Sequence, residues 1–263
     1  MRISSVSFVS LLVVAAVGCD KSDGASSVDQ SAAELAVDSS DSGQTEGAVM
    51  SSLMEGTEVQ AGLAAPTDED VAQRILDRAK ARYLPAPCLT ATRTGAAVNL
   101  VLNGCTGPRG LRTLTGTINV IGSVTAAGDF QAVATAQGLM VNASVMDINS
   151  TAIYAPSAKT LSVTTAGAGI GPLGNEISRT GAYTVAWTAT CATVAGAWST
   201  TVGDAARSTT VQMQRCKDSC PIGSVVHTGR LGRTVTVTFD GTAVASWVSS
   251  KGGAGTIDLP CGQ

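Results

Sequence analysis

The chain has 263 residues, of which 44% are hydrophobic, only 3% aromatic and only 14% charged. That charged share is well below the roughly 25% that is usual for soluble domains. The formal net charge of -3 argues against a nucleic-acid-binding protein, because such proteins present a strongly basic face. The length allows one sizeable domain or two small ones. Composition by itself assigns no activity.

The N-terminus predicts a secretory signal peptide over residues 1–18. Arg2 supplies a positive charge, and residues 3–18 are uncharged and too short a run to span a bilayer comfortably. The run ends in Ala16-Val17-Gly18-Cys19, which resembles the lipobox of bacterial lipoproteins, with Ala where that family usually has Leu. The resemblance implies that Cys19 is acylated and begins a mature, lipid-anchored protein. The alternative is an ordinary signal peptide cleaved nearby, which leaves Cys19 as a free thiol.

Residues 19–65 predict a lipidated, disordered tether. Between Asp20 and Pro66 the chain has nine acidic residues and one basic residue, Lys21, for a net charge of -8. Ser, Asp, Gly and Gln dominate there, and a segment of this composition cannot bury enough apolar surface to build a core.

Residues 66–84 predict one amphipathic helix. Thr67 is suited to cap its N-terminus, and Pro85 and Pro87 to end it. Apolar residues recur every four positions on one stripe, with Leu84 beside it: Val71, Ile75, Ala79 and Tyr83. We expect this stripe to pack on the domain that follows. A helix that docks onto a partner is the alternative.

Residues 85–263 predict an all-β domain. Twelve segments rich in Val, Ile and Thr alternate apolar residues with Thr or Ser between Gly-containing breaks. They include 97–102, 130–136, 139–154, 182–190 and 256–259. About a dozen strands with almost no helix predict an antiparallel β-sandwich or barrel. Large side chains are scarce, so a few must anchor the core: Trp187, Trp198, Trp247, Phe130, Phe239, Leu139 and Ile118.

Seven cysteines are present, and assigning Cys19 to the lipid leaves six, an even number that suits an exported domain clipped by disulfides. Hairpin symmetry predicts the pair Cys88–Cys105 across a turn around Gly95, and the pair Cys191–Cys216 across a turn at Gly203. This leaves the pair Cys220–Cys261. These two cysteines are expected on the outer strands of a four-strand meander that begins at Cys220, so the sheet must curl for them to meet. The competing assignment pairs Cys216 with Cys220 and Cys191 with Cys261.

Several turn and cysteine motifs carry a further resemblance. The stretch 103–110, together with Arg215-Cys216, Cys220-Pro221 and Phe239-Asp240-Gly241, resembles a group of uncharacterised predicted lipoproteins of gliding soil bacteria. The resemblance implies export and a β fold, and it brings no known activity.

The sequence gives little support for a catalytic, metal or dinucleotide-binding site. His227 is the only histidine, which excludes multi-histidine metal sites and makes any Ser-His-Asp arrangement depend on one residue with strand-like neighbours. Asp240 is expected in a hairpin turn. Gly169, Gly171 and Gly174 have the spacing of a dinucleotide-binding loop, but no helix pattern follows them, so they predict an ordinary loop. We expect no catalytic residue, metal or cofactor.

The sequence therefore predicts a non-catalytic lipoprotein of the cell envelope, anchored to the inner or outer membrane and facing the periplasm or the cell exterior. Its β domain is expected to be a structural or binding module, with a polysaccharide or an envelope protein as the partner. One alternative is a secreted hydrolase with its site on β-domain loops. An enzyme should have a deep pocket where carboxylates or His227 converge, and a binding module should have a shallow polar face.

A second alternative is an adhesin for a polyanionic surface polymer. Eleven basic and seven acidic residues follow Pro87, so the β domain has a net charge of +4. The basic residues that would face the anion are Arg109, Arg112, Arg207, Arg215, Lys217, Arg230 and Arg233. Alternating threonines, as in Thr234-Val235-Thr236, would suit a carbohydrate-facing strand, although Thr is also an ordinary choice for solvent-facing strand positions.

Overall fold

The computed structural model describes residues 66–106, 113–171, 174–216, 219–252 and 254–258. The predicted signal peptide and tether, Cys19 and Cys261 lie outside these residues, as do Arg109, Arg112 and Lys217.

The predicted helix is present as α1, which spans Asp68–Arg82. Its N-terminus is closed by a capping box: the Thr67 hydroxyl accepts from the Asp70 amide at 3.2 Å, and the Asp70 carboxylate accepts from the Thr67 amide at 2.9 Å. The Thr67 amide, and the Thr67 hydroxyl at 3.0 Å, donate to the Asp70 carboxylate and lower its pKa. The predicted apolar stripe is buried, but Leu84 is 48% exposed. The helix has already ended at that point, and Leu84 pairs instead with Thr106.

Thirteen antiparallel strands follow, each paired with the next along the chain. They are β1 (Leu89–Thr94), β2 (Ala97–Thr106), β3 (Thr113–Val124), β4 (Phe130–Val141), β5 (Ser144–Ala155), β6 (Thr160–Ile170), β7 (Glu176–Trp187), β8 (Cys191–Val202), β9 (Ala205–Cys216), β10 (Ile222–Thr228), β11 (Thr234–Asp240), β12 (Val244–Ser249) and β13 (Ala254–Asp258). Short 3-10 helices lie at Ala86–Cys88 and Arg230–Gly232.

The prediction of an all-β antiparallel fold is confirmed. The described strands form one open sheet, in place of the two sheets of a sandwich or the closed cylinder of a barrel, because no strand crosses over to a second sheet and β1 does not pair with β13.

The β4–β5 hairpin differs from its predicted boundaries. The sequence predicted a break near Gly138, between segments 130–136 and 139–154. Strand β4 instead continues to Val141, and the chain turns at Asn142, which has a φ of 52°. The pairing register shifts between Ala136 and Leu139, so Gly138 belongs to a bulge, which bends a strand without ending it. Gly169 was likewise predicted in a loop but lies within β6.

The inner face of the sheet, defined as the face against which α1 packs, holds the core. The helix contacts β1, β2 and β3, and Gly122 on β3 permits the approach, since a Cβ there would lie 2.9 Å from the Ala72 amide nitrogen. Four of the predicted anchors are buried: Phe130, Phe239, Leu139 and Ile118. The three tryptophans are only half-buried.

Two predicted disulfides are present. Cys88–Cys105 joins Cα atoms 5.2 Å apart, and Cys191–Cys216 joins directly paired positions of β8 and β9. The competing Cys216–Cys220 assignment is therefore wrong. Cys220 also forms a disulfide. Because Cys261 lies outside the described residues, the Cys220–Cys261 pair stays a prediction.

Candidate functional site

A shallow groove of about 520 Å³ lies on the outer face of the sheet, across β4 to β8. Two parallel rows of side chains border it. The first row is paired from strand to strand and consists of Thr135, Asn149, Ala166, Thr180 and Ser199. The second consists of Asp147, Ala168, Ser178 and Thr201, with Gln137 beside them at the β4 bulge.

The dimensions of the groove follow from strand geometry. Its rows are two residues apart along each strand, which is about 7 Å, and five strands at their usual spacing span about 19 Å. Main chain lines the floor at Ala136, Ile148, Gly167 and Arg179, whose side chains point to the inner face because successive side chains alternate. The result is a shallow groove that runs across the strands.

The groove is lined by hydroxyl, amide and methyl groups. Its one carboxylate, Asp147, already accepts the Gly138 amide hydrogen through Oδ1 at 2.7 Å. No nucleophile is paired with a base among the lining residues. The chemistry of this surface is therefore neutral hydrogen bonding over an extended area.

The first row continues beyond the groove in both directions. On one side Thr135 is paired with Asn119, which pairs with Asn99 and then Thr92; Asn99 Nδ2 donates to Asn119 Oδ1 at 2.8 Å. On the other side the row continues through Ser208 on β9, Thr228 on β10 and Thr234 on β11. We call this extended row the ladder. A single line of Thr, Asn and Ser, broken only by Ala166, thus crosses eleven strands. Sequence reasoning singled out Thr92 and Thr234 in runs of alternating threonines but missed the ladder, because register alone aligns its members.

A second polar cluster lies on the inner face. Arg179 on β7, Thr200 on β8 and Arg207 on β9 occupy directly paired positions and are 5%, 1% and 4% exposed. The Arg179 guanidinium lies 5.0 Å from the centre of the Trp198 ring, a cation–π distance.

His227 on β10 adjoins this cluster. It is paired with Thr209, and Thr209 Oγ1 and His227 Nδ1 are hydrogen-bonded at 2.9 Å. Burial, and then the charge of Arg207, lower the pKa of His227, so its imidazole is neutral at neutral pH. Asp147 and Asp240 lie at outer-face positions, and neither of them can complete a Ser-His-Asp arrangement with His227.

Asp240 is a turn residue, as the sequence predicts. Its Oδ1 accepts from the Thr242 hydroxyl at 2.7 Å and from the Thr242 amide at 2.9 Å. These hydrogen bonds lower the pKa of the Asp240 carboxyl.

The predicted anion-facing residues do not assemble into one described surface. Arg207 is buried on the inner face because odd-numbered positions of β9 point inward, so its assignment to an exposed basic surface is wrong. Arg233 is exposed, and its Nε donates to Ser249 Oγ at 3.3 Å. The side chains of Arg215 and Arg230 lie outside the described part of the chain. Sequence reasoning missed Arg179, because it began this strand at Ala182.

Within the described ranges, no group of three or more His, Cys, Asp or Glu side chains is arranged to hold a metal ion. The same ranges contain no helix with the length and apolar character needed to cross a membrane. No protein-family model matches the chain, and neither curated proteins nor solved structures show significant similarity to it.

Proposed function

We propose that this protein is a non-catalytic lipoprotein of the cell envelope whose sheet domain binds a hydroxyl-rich polymer, a polysaccharide, in the outer-face groove. The observation that carries the proposal is the groove itself. It is exposed, nearly uncharged and about 19 Å long, and it lies between two rows of mostly hydrogen-bonding side chains. Hydroxyl and amide groups both donate and accept hydrogen bonds, as the hydroxyls of a sugar chain require.

The arrangement favours binding over hydrolysis. A glycosidase places two carboxyl groups on opposite sides of the scissile bond, but this groove is lined by one carboxylate, which is already held by the Gly138 amide. The single histidine of the chain is on the opposite face of the sheet. A hydrolase of the Ser-His-Asp class therefore has no support at this site.

Anchoring at a membrane rests on the lipobox resemblance of residues 16–19. The predicted tether that follows would let the sheet domain reach about 40 Å from the membrane if it behaves as a flexible coil. A domain presented in this way can contact a polymer in the periplasm or outside the cell.

The binding proposal is tested with a substitution that fills the groove. Ala166→Lys places a long charged side chain in the middle of the first row, and we expect it to weaken co-sedimentation with purified envelope polysaccharides at least about tenfold by steric exclusion and lost hydrogen bonds. Thr164→Lys is the matched control, since Thr164 is exposed on the same face of β6 but does not line the groove. Equal binding by the two variants, or no binding by the wild type, would overturn the groove as the site.

The anchoring proposal is tested separately. The wild type should take up labelled fatty acid and partition into detergent, and Cys19→Ser should abolish both. Limited proteolysis should remove residues 20–65 and stop near Pro66. A wild type that stays in the aqueous phase would contradict lipid anchoring and leave the groove experiment unaffected.

A further inference from the structure

An exposed apolar patch lies on the outer face, beside the second row of the groove. It consists of Met140 on β4, Val145 on β5 and Ile170 on β6, which occupy directly paired positions and are 48%, 42% and 42% exposed. Single exposed apolar side chains are ordinary, but neighbouring ones form a continuous surface that favours apolar contact. No other exposed large apolar side chains of the described residues are paired across neighbouring strands.

The groove opens toward this apolar patch at β6. Ala168 has the smallest side chain of the second row, so the side of the groove is lowest at this position. Ile170 lies two residues farther along the same strand, which is about 7 Å. A side group of a polymer in the groove can therefore pass over Ala168 and reach the patch.

Asp147 supplies a hydrogen-bond acceptor at the same opening. It is paired with Ala168 and is exposed. Its Oδ1 accepts from the Gly138 amide at 2.7 Å, whereas Oδ2 has no hydrogen-bond partner among the described residues. Val145 of the apolar patch lies two residues farther along β5, again about 7 Å away. The opening thus offers a charged acceptor on one side and aliphatic side chains on the other.

We propose that the groove prefers a polysaccharide whose sugars carry N-acetyl groups. This inference rests on the proposed function and names the class of polymer that the groove takes. An N-acetyl group has an N–H that can donate to Asp147 and a methyl that can lie on Val145 and Ile170. A sugar hydroxyl provides the donor alone and leaves the apolar patch uncovered.

The charges beside the opening exclude a polyanion as the preferred ligand. Glu176 is exposed and paired with Ile170, so carboxylates lie at Asp147 and at the end of the apolar patch. Like charges placed opposite one another across an interface are costly. A cationic amino sugar would satisfy the carboxylates but would bring a strongly hydrated ammonium group onto aliphatic side chains.

The experiment compares three soluble probes of the same length and linkage, the β-1,4-linked hexamers of N-acetylglucosamine, glucose and glucosamine. Titration calorimetry with the full mature protein measures the affinity for each. We expect the N-acetylglucosamine hexamer to bind at least about tenfold more tightly than the glucose hexamer, because it adds a charge-assisted hydrogen bond and a buried methyl.

The outcomes separate this inference from the proposed function. Equal affinities for the three probes, or tightest binding of the glucosamine hexamer, would overturn the N-acetyl preference. If no hexamer binds while envelope polysaccharides still co-sediment with the protein, the preference is wrong and the groove stands. If neither occurs, the proposed function itself is wrong.

Val145→Thr tests whether the apolar patch makes the contact. The change replaces a methyl with a hydroxyl at nearly constant shape, and it should reduce the preference for the N-acetylglucosamine hexamer over the glucose hexamer about threefold to fivefold. Val248→Thr is the matched control, because Val248 is 56% exposed on β12 and lies outside the groove. Its preference should equal that of the wild type.

Ala168→Leu tests the opening by a second route. The larger side chain raises the side of the groove in front of the apolar patch, so the affinities for the two hexamers should become nearly equal. Ala168 and Val145 are both exposed, and neither substitution should disturb folding. A wild-type preference in both variants would overturn the N-acetyl contact at this place.

Discussion

The two halves of the sheet, β1–β6 and β7–β13, have similar outer faces but different inner faces. In the first half, large side chains such as Phe130, Leu100 and Leu139 are fully buried, and α1 packs against β1 to β3. In the second half the main apolar cluster has three buried residues, Val237, Phe239 and Ala245, with partly buried neighbours around them. Arg179, Thr200 and Arg207 lie between the two clusters.

This difference shows what one helix contributes to an open sheet. An antiparallel sheet can leave one face in water, but its other face must be covered to gain hydrophobic stabilisation. Helix α1 covers β1 to β3, and the side chains of β4 to β6 continue that core. Among the described elements no helix packs on the second half, its tryptophans are half-buried, and a disulfide connects β8 to β9.

The largest expected effect tests the difference between the cores directly. Phe130→Ala should lower the free energy of unfolding by about 3 to 5 kcal/mol, because it leaves a cavity in a closely packed region. Phe239→Ala should cost less, since its partly buried neighbours can move into the space. Urea denaturation of both variants measures the difference. Equal costs would show that the two cores are equally well packed.

The second prediction concerns the Cys191–Cys216 disulfide. Replacing both cysteines with alanine should cost about 3 kcal/mol through the added entropy of the unfolded chain. Hydrogen exchange should accelerate in β8 and β9 while the amides of α1 and β2 keep their protection. The matched control is the Cys88/Cys105 double alanine variant, in which exchange should accelerate in the first half instead. A uniform loss of protection in either variant would mean that the halves unfold as one unit.

Gly122 tests the contact between the helix and the first half. An added Cβ would lie 2.9 Å from the Ala72 amide nitrogen, so Gly122→Ala should displace α1 and cost about 1 to 3 kcal/mol. Gly229→Ala is the control, because the nearest atom to a Cβ there is 3.6 Å away. Thermal unfolding of the two variants measures the effect. A Gly122→Ala protein with an unchanged melting temperature would show that the helix is loosely seated.

The smallest expected effect is a pH dependence in the second half. The folded-state pKa of His227 lies below its ordinary value of 6.5, so the unfolded chain binds this proton more tightly than the folded protein. Stability is therefore complete above about pH 7.5 and decreases as the pH falls through 6.5 toward the folded-state pKa. Melting temperatures across this window should show the decrease. His227→Gln should remove it, and an unchanged slope in that variant would assign it to other groups.

Local features were predictable because they depend on neighbouring residues. The capping box at Thr67, the turn at Asp240 and the cysteine pair across Gly203 each follow from the side-chain chemistry and symmetry of a short segment. The turn near Gly138 was mispredicted for the same reason: a glycine with positive φ is typical of both a turn and a bulge, and only pairing with the next strand distinguishes them.

The sequence by itself determined the secondary structure class, the helix, two of the disulfides and the polar character of the outer face. Alternation of side chains along each strand is sufficient to predict the polar outer face, since it requires no knowledge of which residues are opposite one another. Tertiary structure decided what strand register controls: one open sheet, the ladder of Thr, Asn and Ser across eleven strands, and the alignment of Arg179, Thr200 and Arg207. A shift of one residue in register would turn every side chain of a strand to the other face, so the groove does not exist until the pairing is set.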